Sequence, residues 1–243
     1  PAAGASAASP APPAPRPAPV ASDEASLRVA ILVALLNLCV PVQGPVARYL
    51  QKRRIFKRTW DTQRLRMIGD YGATSSALEA RFGREALERA GFFNPSGHLR
   101  YYRHRLLFPY LDPAGRPVYL QARAIEADAR PKELSMVGPI PLPYNVRLLD
   151  GEPGQIYLCE GVIDTLTLLE QGVPAVGIPG AANFKPAWVP LFRSKTVRVA
   201  FDPDQPGENG AAKTMDLLAA GGVETRRLAP PKGLDLNDWL RSG

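Results

Sequence analysis

Hydrophobic and polar positions along the chain fall into two regimes. From residue 154 onward, short apolar runs alternate with longer amphipathic stretches. Gln155–Cys159, Val173–Ile178, Thr196–Phe201 and Val223–Leu228 read as strands, and Ile163–Gln171, Gly210–Ala220 and Asn237–Arg241 as helices. Strands alternating with helices of this length imply a parallel sheet with helices on both faces.

The upstream half reads differently. Arg105–Leu111 and Pro117–Arg123 are apolar-rich strands joined by the turn Asp112–Gly115. Before them come the short helices Val46–Arg53, Thr59–Arg64, Ser75–Phe82 and Arg84–Ala90, the last stopped by Gly91. Residues 129–146 form a Pro- and Gly-rich connection. Ser22-Asp23-Glu24 supplies a helix start, and Ala25–Cys39 continues as a nearly uncharged helix halted by Pro41. A helix with no polar face is either buried in the core or covered by a partner. Residues 1–21 hold seven Pro and nine Ala with Arg16 as their only charge, and read as a disordered, extended linker. Such a linker suggests an element tethered upstream in a longer parent. The organisation expected is therefore a linker over 1–24, a helical segment over 25–95, a basic α+β lobe over 96–150 and an α/β domain over 151–243.

Composition narrows the function classes. The 243 residues are 45% hydrophobic, which is ample for a core. Two Cys and two His supply neither a disulfide framework nor the four ligands of a structural zinc site. The longest apolar run, Val29–Val42, is too short to span a bilayer, and no export signal opens the chain. The expected setting is cytoplasmic and away from membranes.

Charge is distributed unevenly. Residues 1–150 carry 21 basic and 12 acidic side chains, whereas residues 151–243 carry 9 and 11. Arg48, Lys52, Arg53, Arg54, Lys57, Arg58, Arg64 and Arg66 crowd one short stretch, with Tyr49, Phe56 and Trp60 among them. A solvated helix face accounts for this pattern, and so does a surface that tracks phosphates. Arg103, Arg105 and Arg123 would stand on the predicted strands and offer bidentate grips on phosphate.

The acids sit where a parallel sheet gathers its ligands, at the carboxyl ends of strands. Glu160 follows the first strand and Asp164 lies a helical turn later. Asp202 and Asp204 follow the third strand, and Asp235 and Asp238 the fourth. Capping accounts for Asp164 and Asp238. The other acids suit an all-oxygen Mg²⁺ or Mn²⁺ site of the kind used in phosphoryl transfer. Rival motifs fail on detail. Asp202-Pro-Asp204-Gln-Pro-Gly207 begins like an EF-hand loop but has Lys213 at its twelfth position, there is no P-loop, and Gly177-Ile-Pro-Gly180 is a poor dinucleotide fingerprint.

Glu160-Gly-Val-Ile-Asp164 after a strand, then Phe201-Asp202-Pro-Asp204-Gln-Pro-Gly207, then Gly233-Leu-Asp235-Leu-Asn-Asp238, resembles a Toprim domain. Upstream, Ala47-Arg-Tyr-Leu-Gln-Lys-Arg-Arg-Ile55, Arg103-His-Arg105-Leu-Leu-Phe-Pro109, Arg123 and Pro131-Lys132 resemble, in order, the basic lobe of the DnaG-type primase RNA-polymerase core. The resemblance covers roughly residues 46–243, without ligands for that family's zinc-binding domain. It implies metal-site acids at Glu160, Asp164, Asp202, Asp204 and Asp235, with Glu160, Asp202 and Asp204 catalytic. It implies nucleotide or template contacts at Arg103, Arg105, Arg123 and Lys132, and further template contacts at Arg53, Arg54, Lys57 and Arg58. The function implied is metal-dependent synthesis of short primers on single-stranded DNA from nucleoside triphosphates, with Mg²⁺ or Mn²⁺ and no zinc in this chain. A replicative helicase or a separate zinc-binding domain is the partner implied. A Toprim nuclease and a non-catalytic nucleic-acid-binding module of a replication assembly are the alternatives.

Overall fold

A computed structural model describes residues 20–151, 154–231, 233–234 and 236–242. Two sheets organise them. The first is antiparallel, in the order β1 (Val40–Pro41), β2 (Arg66–Met67), β3 (Leu106–Leu111), β4 (Pro117–Arg123), β5 (Glu133–Ser135). The second is parallel, in the order β7 (Ala175–Gly177), β6 (Gly154–Cys159), β8 (Lys195–Ala200), β9 (Thr225–Arg227). The α/β class expected from the alternating pattern is the one observed.

The β3–β4 hairpin follows its turn chemistry. Asp112 accepts from the Arg116 amide at 2.8 Å, and Gly115 takes the positive φ of +80° that closes the loop. This register sets Leu106 opposite Arg123 and Tyr110 opposite Tyr119. Two differences follow from very short strands. β1 and β2 lie within residues 25–95, and β5 lies in the Pro- and Gly-rich connection, so the segment expected to be helical shares a sheet with the basic lobe. Two or three residues are too few for period-2 alternation to show in a sequence.

Helix α1 (Val20–Leu38) begins before the expected Ser22 start, so residues 20–24 of the expected linker belong to it. Residues 1–19 of that linker lie outside the described residues. Ile31, Leu32 and Leu35 are fully buried, whereas Val33 and Leu38 are partly exposed. α1 packs across β4 and α4 (Tyr71–Phe82), which makes it a core helix. Helices α2 (Gly44–Lys52), α3 (Lys57–Thr62) and α5 (Arg84–Arg89) complete this lobe. No helix among the described residues is long and apolar enough to cross a membrane.

In the parallel sheet, alternate residues enter two separate cores. Leu158, Val176 and Val199 pack with Phe184, Trp188, Phe192 and Leu218, on the side of α7 (Gln205–Ala220). Cys159, Ala175 and Ala200 pack with Leu168 of α6 (Val162–Glu170) and Leu236 of α8 (Leu236–Ser242). The other flank of α6, through Val162, Ile163 and Leu166, joins the core of the first lobe. One helix thereby cements both sheets.

Candidate active site

Adjacent strands β6 and β8 end together, with Cys159 paired to Ala200. Glu160 therefore leaves the sheet beside Phe201-Asp202, and Glu160 Oε2 accepts from the Asp202 amide at 3.3 Å. Asp164 stands in the first turn of α6. Glu160, Asp164 and Asp202 are half-buried, and Asp204 is exposed. The thiol of Cys159 registers two of these acids. Its pKa is pushed well above the ordinary value first by burial, then by the Asp164 carboxylate, with Asp202 adding to the rise and a Thr165 hydrogen bond opposing it.

Asp204 corrects the expected division between capping and chemistry. It is the N-cap of α7 and accepts from the Gly207 amide at 2.8 Å, whereas α6 starts from Gly161 with no side-chain cap. The Asp204 cap also explains why α7 starts at Gln205 rather than at the expected Gly210. Asp235 lies outside the described residues, and Asp238 occupies the first turn of α8. Among the described residues, no three His, Cys, Asp or Glu side chains converge to hold a metal ion. What the sheet brings together is an acidic strand-end pair, Glu160 and Asp202, with Asp164 and Asp204 at the two adjoining helix starts.

The expected basic residues divide into two groups. Lys52, Arg53, Arg123 and Lys132 line a cleft of about 290 Å³ together with Tyr49, Ile125 and Glu126. Arg103 and Arg105 line a neighbouring cleft that shares Ile125 and Glu126 with the first, so the two adjoin. Arg103 and Arg105 stand on the loop before β3, not on the strand, which leaves only Arg123 on the sheet. Arg123 is held between Glu133 and the Tyr49 hydroxyl, and Arg103 pairs with Asp128 at 2.8 Å. Arg53 donates to the Asn237 side-chain oxygen at 3.3 Å and stacks over Tyr49, which ties the groove to α8. Arg58 lines a different cavity, between α3 and the end of α6, and Lys57 is engaged by Asp61 on its own helix. Arg54 is exposed in a left-handed turn with φ of 56°.

Comparison with known proteins supplies the relationship. Residues 155–243 match the Toprim domain family. The Gene 57 protein of Mycobacterium phage D29 is 33% identical over 116 residues, which are 47% of this chain and 74% of that protein. The DNA primase of Mycoplasma pneumoniae is 28% identical over 147 residues, which are 56% of this chain and 24% of that protein. The structure of the DnaG primase catalytic domain bound to ssDNA superposes with a TM-score of 0.75 at 21% identity, covering 91% of this chain and 78% of that one. The chain belongs to the DnaG-type primase family, as a Toprim core.

Within the DnaG-type core, three features escaped the reading of motifs. Tyr49 holds two arginines of the groove, Arg53 and Arg123, over its ring. Gly207 lies so close to the Asp202 carbonyl that a β-carbon there would fall 2.1 Å from it. Arg227, on β9, reaches the backbone that carries Asp202. The first was foreshadowed by aromatics set among basic residues and the second by a Gly three residues after a capping Asp. No sequence signal separates Arg227 from an ordinary edge-strand arginine.

Proposed function

We propose that this DnaG-type core is a DNA-directed nucleotidyltransferase that assembles short primers on single-stranded DNA. The observation that carries the reading is the pair of acid-bearing strand ends, Glu160 beside Asp202, in a chain whose other lobe carries two adjoining clefts lined by basic residues. The donor set fits Mg²⁺ or Mn²⁺. Mg²⁺ takes oxygen ligands, keeps several waters and needs only one or two carboxylates besides substrate phosphates, so a closed protein triad is not required. Glu160 and Asp202 would hold it, with Asp164, Asp204 and Asp235 as further candidates. When bound, such a cation neutralises triphosphate charge and favours the ionised 3′-hydroxyl.

The protein's own contribution is positioning, because phosphoryl transfer asks little covalent chemistry of its catalyst. Lys52, Arg53, Arg105 and Lys132 would track the template backbone by charge. Arg123 and Arg103, already paired with Glu133 and Asp128, orient those carboxylates and hold the groove walls.

The test is incubation with single-stranded DNA, labelled nucleoside triphosphates and Mg²⁺ or Mn²⁺, beside an Asp202→Asn/Asp204→Asn double variant. Labelled short oligonucleotides that vanish in the variant are the expected result. Metal-dependent shortening of the DNA would instead make the chain a nuclease. DNA binding with neither product, even with a separate zinc-binding domain supplied, would make it a binding module.

A further inference from the structure

Strand β9 pairs with β8 only as far as Val199 opposite Arg227, and its last backbone bond runs from the Leu228 amide to the Val199 carbonyl at 2.9 Å. The β8 chain continues past this point through Phe201 and Asp202. Its carbonyls there have left the sheet, and buried carbonyls without partners are costly. The Arg227 guanidinium takes the place of the missing strand. Its Nη2 donates to the Phe201 carbonyl at 2.9 Å and approaches the Asp202 carbonyl at 3.5 Å, while Nη1 donates to Val199 at 2.9 Å and to Leu228. Glu208, in the first turn of α7, binds Nη2 at 2.6 Å and balances the charge.

The guanidinium therefore grips the backbone at and just past the end of β8 and, through the Glu208 side chain, the first turn of α7. Those are the two elements between which Asp202 and Asp204 are suspended. The side chain is mostly buried, at 20% exposure. Its planar fork matches several carbonyls at once, a geometry that a lysine ammonium on a flexible stem does not reproduce.

We propose that Arg227 is a positioning residue that fixes the Phe201–Asp204 segment and thereby sets the affinity of the acidic site for a divalent cation. The inference rests on the metal-dependent reading of Glu160 and Asp202 given above. Groups that orient ligands from behind typically change metal affinity by about 10- to 100-fold when removed.

The experiment is Mn²⁺ binding by the full chain, read from the electron paramagnetic resonance signal of free Mn²⁺, alongside thermal unfolding. Arg227→Met is expected to weaken Mn²⁺ binding by about 10-fold or more. Arg227→Lys is expected to weaken it nearly as much, because charge alone does not satisfy the carbonyls. If Arg227→Met does not fold, Arg227→Lys carries the test. Lys213→Ala, on the exposed face of α7 and outside this network, is expected to bind Mn²⁺ like the parent. Parent-like affinity in folded Arg227→Lys would overturn the proposal, since a merely structural arginine would alter melting and leave affinity alone. Mn²⁺ binding that survives Asp202→Asn/Asp204→Asn would instead remove the metal-site reading, and this inference with it.

Discussion

Replacing Gly207 with Ala sets two physical effects against each other. Alanine normally stabilises a helical position by about 0.5–1 kcal/mol relative to glycine. At Gly207 the added β-carbon would lie 2.1 Å from the Asp202 carbonyl oxygen, 3.0 Å from its carbon and 3.0 Å from Asp204 Oδ1. The first two are backbone atoms that cannot rotate aside, so α7 itself must move. Overpacking of this kind costs about 1–3 kcal/mol. Displacing α7 also pulls the Gly207 amide from Asp204, and losing an N-cap costs about 1 kcal/mol. Net of the propensity gain, the variant should be destabilised by about 1–3 kcal/mol, or roughly 2–12 °C in melting temperature for a chain this size. Thermal unfolding followed by circular dichroism measures it, with Lys213→Ala on the exposed face of the same helix as the near-neutral control. A Gly207→Ala protein melting at or above the parent temperature would show that the β8–α7 junction is not closed by this contact.

Other outcomes test the groove, the lobe junction and the buried thiols. Lys52, Arg53, Arg105 and Lys132 have no carboxylate partner among the described residues, so single-stranded DNA affinity should fall with salt at a log–log slope of about −3. Lys132→Ala should make that slope shallower by about 1 in filter-binding or anisotropy titrations, and Arg103→Ala, already paired with Asp128, should change it less. Asn237 is fully buried and its amide donates to Thr167 at 2.6 Å and to the Arg53 carbonyl at 3.1 Å, so Asn237→Ala should cost about 2–4 kcal/mol in urea unfolding. Burial pushes the Cys39 thiol up to about 12, against a weaker opposing pull from Arg66. A pKa raised on folding contributes stability that is complete below the unfolded value near 9 and is lost as pH rises toward 12. Native Cys39 should accordingly resist iodoacetamide at pH 8, and fast alkylation without unfolding would contradict its burial.

Most of the parallel sheet was legible because its strands are long enough for buried runs to stand out and its helices carry clear stops. β6, β8 and α6 fall within a residue or two of their expected limits. The first lobe was less legible, since β1, β2 and β5 owe their existence to neighbours across the sheet rather than to local pattern. Among site residues, placement of the acids at strand ends followed directly from chain order. Their partners did not. That Asp204 spends one oxygen on a cap, and that Arg123 faces Glu133 ten residues away, depend on register and helix start, which motif spacing does not encode. Arg103 and Arg105 read as strand residues because apolar runs show no sharp edge where a loop feeds a sheet, whereas β3 begins at Leu106.

The bond between Asn237 and Arg53 joins residues 184 apart in the chain. During synthesis Arg53 emerges long before Asn237, with only its stacking over Tyr49 to hold it at first. The basic lobe can collapse onto α1 while the ribosome is still making the second sheet, but its groove wall acquires its final bracing only when α8 folds back. Contacts of such separation form late, because loop closure must precede any gain from them. The braced groove wall would thus form only after α8 has emerged, later than the lobe it belongs to.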